Sequence, residues 1–356
     1  MGGGALIVKY LKPLAFFLIT GLIVSCSPIR SSAPSMVLLL VESLSEAENI
    51  CFDPSLKEEF SHLGQECENF LNFTHVFAPS PESIPNLANL FTGQSMRTHT
   101  LVSHQAKALS GRTKTLGEKA LLSGMRTGFF SGGLPFLPKR SLTQGIERFV
   151  SPMVNKNPKG FWPVQSSFGS LLNWLDREVH GKSFFSVVYA PDFLYERRIT
   201  KTDLNRERPM NRLAQIHELY ESLNGFIGDL KKRGRWESTH LVILGLGGAE
   251  KSLSMKNPLA ANKLQVPLYI RQAVQGKNEK VKNQRGKIFS FNDVHRWLES
   301  LLLADKKNKW HGSLQDTQWL RQQSHFLKRL GLTGQPHLGL RKSGYSLVFK
   351  NHLKAV

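Results

Sequence analysis

The sequence predicts an α/β fold: a mostly parallel central sheet with helices on both faces, followed by a small C-terminal subdomain. Three observations predict it. First, Met36-Val37-Leu38-Leu39-Leu40-Val41 and Phe184-Phe185-Ser186-Val187-Val188-Tyr189 are apolar runs without regular polar alternation, as in strands buried on both faces. Second, the segment from about Pro209 to Lys232 repeats apolar residues three and four apart, from Leu213 and Ile216 to Ile227 and Leu230, the stripe of a helix with one buried face. Third, strand-like and helix-like segments alternate along the chain, the order of parallel strands joined by helical crossovers. With 356 residues, 40% of them hydrophobic, the chain can bury one large core, since single cores stop growing near about 250–300 residues. The same composition excludes collagen-like, coiled-coil, mucin-like and wholly disordered classes.

The elements follow in order. Residues 1–25 carry only two charges, Lys9 and Lys12, ahead of the apolar run Leu14 to Val24, a secretory leader pattern too short for a comfortable membrane span. It ends in Ile23-Val24-Ser25-Cys26, which resembles a bacterial lipobox and implies that Cys26 is lipidated (palmitate among its acyl chains) and becomes the mature N-terminus. An uncleaved anchor with a chance cysteine is the alternative, and either reading places the domain outside the cytoplasm. The expected location is the bacterial cell envelope, at the outer membrane where the host has two membranes. Residues 26–35 (CSPIRSSAPS) form a Ser/Pro-rich tether, residues 36–313 the α/β domain, and residues 314–356 a basic subdomain ending in a strand at Ser343 to Phe349. Within the domain, Ser83 is the expected N-cap of a helix over Ile84 to Phe91, with Pro85 in its first turn. Thr115 to Leu122 reads as a helix, Gly124 to Phe130 as a turn into a strand, and Ser290 to Leu303 as a further helix. Thr239 to Leu244 and Val266 to Ile270 read as strands.

Charge and cysteine content constrain partners and redox state. Forty-seven Lys and Arg against 27 Asp and Glu give a net charge of +20, a field that attracts anions. Outside the cytoplasm nucleic acid is not an expected partner, which leaves the membrane through the lipid anchor and an anionic glycan, lipid head group, or sulfate or phosphate ester. After Cys26 only Cys51 and Cys67 remain; in an oxidising compartment an even pair reads as a disulfide, with two buried free thiols as the alternative.

Several motifs carry a resemblance. The strand ending Val41-Glu42-Ser43-Leu44, the run Ser83-Ile84-Pro85-Asn86-Leu87 leading to Phe91-Thr92-Gly93 and His99, the pieces Thr115-Leu116 and Gly124-Met125-Arg126-Thr127, the strand Thr239 to Leu244 and the segment Ser290-Phe291-Asn292-Asp293-Val294 stand in the order and spacing of one family's landmarks. The chain resembles the sulfatase family of the alkaline phosphatase superfamily from about Val37 to Leu303. The resemblance implies a site at the carboxyl ends of the strands, where ligands of open α/β sheets bind. Glu42, Ser83, Gly247 and Lys256 are expected to converge there.

Ester cleavage in such a site needs a divalent ion on hard ligands, a nucleophile at a helix N-terminus and cations for the oxyanion. Ser83 takes the nucleophile position and Lys256 that of an anion clamp. Glu42 and Asp192 are the candidate metal ligands, Glu42 reading equally as a solvated or capping carboxylate at a strand end. Gly247 and Gly248 fall where the family has ligating Asp and His, Ser131 to Pro135 offers no Lys or His, and Leu87 replaces the signature Arg, which puts conversion to formylglycine in doubt. The expectation is a degenerate site, a pseudoenzyme that needs no cofactor and binds an anionic envelope ligand or acts as a scaffold. The alternative is an active sulfate- or phosphate-ester hydrolase or transferase that uses Ser83 with a divalent cation, Ca or Mg ahead of Zn or Mn. A dinucleotide fingerprint at Gly245-Leu246-Gly247-Gly248 fails because Glu250 stands at its third glycine.

Overall fold

The structure, a computed structural model, describes residues 33–45, 51, 58–102, 108–133, 137–152, 162–193, 212–247, 264–274, 289–303, 338–342 and 345–349. The leader, Cys26, Gly248 and Lys256 lie outside the described residues, as does most of the tether. Chain contacts separate residues 1–32 from residues 33–356, and the second unit carries every element below.

In chain order these are β1 (Ser35–Val41), α1 (Ser61–Glu66), β2 (Phe70–Phe77), α2 (Ser83–Thr92), α3 (Met96–His99), α4 (Leu116–Leu122), β3 (Arg126–Ser131), β4 (Arg148–Val150), α5 (Val164–Trp174), β5 (Phe184–Ala190), α6 (Arg212–Lys232), β6 (Thr239–Gly245), β7 (Gln265–Arg271), β8 (Phe289–Ser290), α7 (Phe291–Leu302), and the hairpin β9 (Leu338–Lys342) and β10 (Tyr345–Phe349). Eight strands form one sheet in the order β4-β3-β5-β1-β6-β7-β2-β8. All run parallel except β7, which is antiparallel to both β6 and β2. The expected α/β class therefore holds, with one reversed strand and with β2 as a strand the sequence did not announce. Asn72 and His75 interrupt the apolar run of β2, and its register against β7 shifts between Phe73 and Val76.

β1 sits at the centre of the sheet, and all seven of its residues are buried. Its side chains alternate between two cores. Met36, Leu38 and Leu40 pack with α2, α4 and α7 on one face; Val37, Leu39 and Val41 pack with α5 and α6 on the other. Each such buried aliphatic contributes about 1.5–3 kcal/mol. Local signals hold the helix ends. Thr115 with Glu118 and Ser290 with Asp293 form capping boxes at α4 and α7. Gly93 ends α2 in the left-handed region at φ 65°, and a Cβ there would lie 2.4 Å from Cδ2 of His295.

Cys51 and Cys67 are joined in a disulfide, their Cα atoms 5.4 Å apart, within the range such bonds span. Beside it, Glu66 ties α1 to the rest of the molecule. Its carboxylate accepts from Trp236 Nε1 at 2.9 Å, pairs with Lys231 at 2.9 Å and lies 3.8 Å from buried Arg271. The side chain of Asn224 on α6 accepts the N–H groups of His62 and Leu63 at the start of α1, satisfying donors that a helix end leaves open.

Candidate functional site

The site begins where β1 ends. Glu42 follows Val41 and stays in line with β5 through its N–H to the Ala190 carbonyl, 3.0 Å. Ser43 then turns the chain at φ 54°. From the other neighbour, the Leu246 N–H donates to the Val41 carbonyl at 2.9 Å, which brings the end of β6 against the same point. Asn86, on the first turn of α2, donates to the carbonyls of Ser80 at 2.7 Å and Leu246 at 2.5 Å and accepts from the Ser80 N–H at 3.0 Å. One buried amide thus fastens the start of α2 to the loop before it and to the end of β6.

This framework brings Ser83 to Glu42. Both are buried, and the Ser83 hydroxyl is close enough to the Glu42 carboxylate to lower its pKa. The Tyr189 hydroxyl donates to Glu42 Oε1 at 2.8 Å from the end of β5. Burial pushes the Glu42 carboxyl above its usual range, because removing water disfavours its charged form, while the two hydroxyl donors pull in the other direction. Ser83 is not the N-cap: Glu82 occupies that place with extended backbone, and Ser83 is the first helical residue.

The other predicted residues divide. Gly247 stands one residue beyond Leu246, at the same end of the sheet as Glu42 and Ser83. Asp192 is engaged at the start of α5, where its Oδ1 accepts the Val164 N–H at 3.1 Å, while its carbonyl accepts from Gln215 Nε2 at 3.3 Å. Gly248 and Lys256 lie outside the described residues. His99 is buried, its Nδ1 accepting the Leu101 N–H at 3.0 Å, and burial lowers its pKa to about 4. Tyr189 and Asn86 went unnoticed in the sequence. A tyrosine at the carboxyl end of a buried strand was the available signal, since a buried phenol needs a partner; for Asn86 it was an amide facing inward from the first turn of an apolar helix.

Among the described residues no three His, Cys, Asp or Glu side chains come together as a ligand set. The turn after β3 is closed. Ser131 Oγ bonds the Gly133 carbonyl, and a Cβ at Gly132 would lie 2.4 Å from the Trp162 carbonyl oxygen and 2.7 Å from Pro191 Cδ, so no ligating side chain can be added at Gly132 without moving backbone.

The fold is similar to that of solved proteins of the alkaline phosphatase superfamily and of sulfatases. In sequence, neither a protein-family model nor a curated protein matches the chain; the likeness lies in three dimensions. The structure of a protein in this superfamily from Vibrio parahaemolyticus matches with a TM-score of 0.57 at 18% identity, over 77% of this chain and 68% of that one. A sulfatase from Pseudoalteromonas sp. matches with 0.57 at 13% identity, over 82% and 71%. The C-terminal periplasmic domain of EptC from Escherichia coli, in complex with zinc, matches with 0.56 at 12% identity, over 76% and 83%. No helix among the described residues is long and apolar enough to cross a membrane.

Proposed function

We propose that this chain is a sulfatase-like lipoprotein of the bacterial envelope, anchored through Cys26, whose old catalytic cleft binds an anionic ligand or serves as a scaffold and does not turn over esters. The observation that carries this reading is the state of Glu42: buried, held by Ser83 and Tyr189, and without further ligating side chains around it among the described residues. Without a cation beside it, the Ser83 hydroxyl keeps its proton near neutral pH. The dipole at the start of α2 contributes only about 0.3–1 kcal/mol toward holding an anion. Lys256, by its place in the sequence, supplies the cation of the cleft, so binding of phosphate or sulfate is weak and falls as salt rises.

The test is metal analysis together with turnover of aryl sulfate and phosphate esters, on the natural protein and on Ser83→Ala. The expected outcome is far less than one equivalent of tightly bound metal and no turnover beyond that of Ser83→Ala. Metal near one equivalent, with turnover abolished in Ser83→Ala, would establish the second reading, an ester hydrolase or transferase. One observation favours that alternative: Ser83 opens a ten-residue helix beside the Glu42 carboxylate, a position suited to a nucleophile with a neighbouring base. Mass spectrometry of the mature N-terminus tests the anchor, and an intact Met1 to Ser25 segment would refute it.

A further inference from the structure

The bases of this chain are unevenly placed. Between Glu82 and Glu147 the only acid is Glu118, against eight Lys and Arg. Two of these bases are used internally: Lys119 pairs with Glu299 at 2.8 Å and Arg126 with Glu147 at 2.9 Å. Folding gathers others. The Leu109 N–H donates to the Arg140 carbonyl at 3.0 Å, which fastens the turn at 110–113 to the short helical turn Pro138–Arg140. Leu109, Leu137 and Leu142 anchor both segments in the core beneath. The first turn is closed on Ser110, whose carbonyl accepts from Thr113 and whose hydroxyl accepts from the Arg112 N–H. Arg112, Lys114 and Lys139 are left exposed, with half-buried Arg140 beside them.

Little opposes this positive charge. One oxygen of Glu118 accepts the Thr115 N–H in the α4 capping box, and Arg112, Lys114 and Lys139 have no acidic partner among the described residues. No large apolar side chain is exposed in the two turns; those of α4, Leu121 and Leu122, lie at its far end. A surface that inserts into lipid needs such side chains, whereas a hydrated polyanion needs only cations spaced along its length.

We propose that the 110–114 and 138–140 turns form a docking surface for a linear polyanionic glycan, separate from the Glu42 and Ser83 site. Successive anionic groups on one glycan chain meet cations on both turns, and the second contact forms at high effective concentration once the first is made. The surface binds without cleaving.

Heparin serves as the probe, with the full protein and two charge-matched variants. One carries Arg112→Gln, Lys114→Gln and Lys139→Gln; the other carries Arg148→Gln, Arg177→Gln and Lys182→Gln, all exposed positions elsewhere. Circular dichroism checks that each is folded. The expected result is a loss of heparin affinity of about 30-fold or more for the first variant near 0.15 M salt and under about 3-fold for the second, with the salt slope lowered by about three only in the first. Equal losses would mean net charge alone and would overturn the proposal. So would loss of binding to phosphatidylglycerol vesicles with heparin binding intact. Ser83→Ala is expected to bind heparin normally; weakened binding there would move the glycan into the cleft and refute a separate surface, while leaving the proposed function standing.

Discussion

Lowering the pH from 6.5 toward 4 should destabilise this protein through its buried histidines. His99, His240 and His295 are all buried, and burial lowers each from 6.5 to about 4. Arg271 adds to the effect at His240. At His295, Lys119 and Arg296 add to it, whereas the Leu90 carbonyl and Glu299 oppose it. Between those pH values the unfolded chain binds protons that the folded chain refuses, so stability falls as pH drops through the window. A shift of this size is worth roughly 3 kcal/mol per histidine at the lower limit, against a total stability of about 5–15 kcal/mol. His99 and His240 alone therefore consume a large share of it. Urea unfolding followed by tryptophan fluorescence at steps from pH 7.5 to 4 measures the slope, and His240→Asn should lower it by about one proton. Stability that stays level down to pH 4.5, or an unchanged slope in His240→Asn, would refute the reasoning.

Glu42→Gln should raise the melting temperature at neutral pH, because the folded state no longer has to accommodate a buried carboxyl with a raised pKa; the gain should disappear as pH falls toward 4.5, the carboxyl's unperturbed value. Gly93→Ala should cost more than about 1 kcal/mol by chemical denaturation, since alanine resists φ 65° and its Cβ displaces His295. Replacing Cys51 and Cys67 with serine should cost about 2–4 kcal/mol, measured against the oxidised protein. Glu66→Ala should cost about 1–3 kcal/mol and shift Trp236 fluorescence, because the buried Trp236 N–H and Lys231 lose their acceptor while Arg271 keeps Glu237 at 2.9 Å.

What the sequence made legible follows from how far each signal reaches. The apolar runs at Met36 to Val41 and Phe184 to Tyr189 identify strands by burial alone, and the Cys51 and Cys67 pair identifies a cross-link by compartment. Motif order led to the expectation that Glu42, Ser83, Gly247 and Lys256 converge at the strand ends, and the structure brings buried Ser83 close to Glu42 there. Direction and partnership are different matters. Nothing within Val266 to Ile270 states that β7 runs against its neighbours, because a strand's orientation depends on the connections before and after it. Tyr189 stood in plain view as an apolar strand residue, and its hydroxyl acquires meaning only when β1 and β5 are laid side by side. The role of Asn86 requires the Leu246 carbonyl, 160 residues away.

The position of β2 in the sheet bears on how the chain is made. Among the described residues its strand neighbours are β7 and β8, which begin nearly two hundred residues later, so during synthesis its backbone donors and acceptors wait while β5 and β6 emerge and pair with β1 and β3 pairs with β5. An unpaired edge of this kind invites association with other chains. The Cys51–Cys67 bond, by contrast, closes over a separation of 16 residues and can form as soon as both cysteines reach an oxidising compartment. Early closure restrains the approach to β2 while that strand is still without its partners, and a chain truncated before Gln265 keeps the edge permanently open.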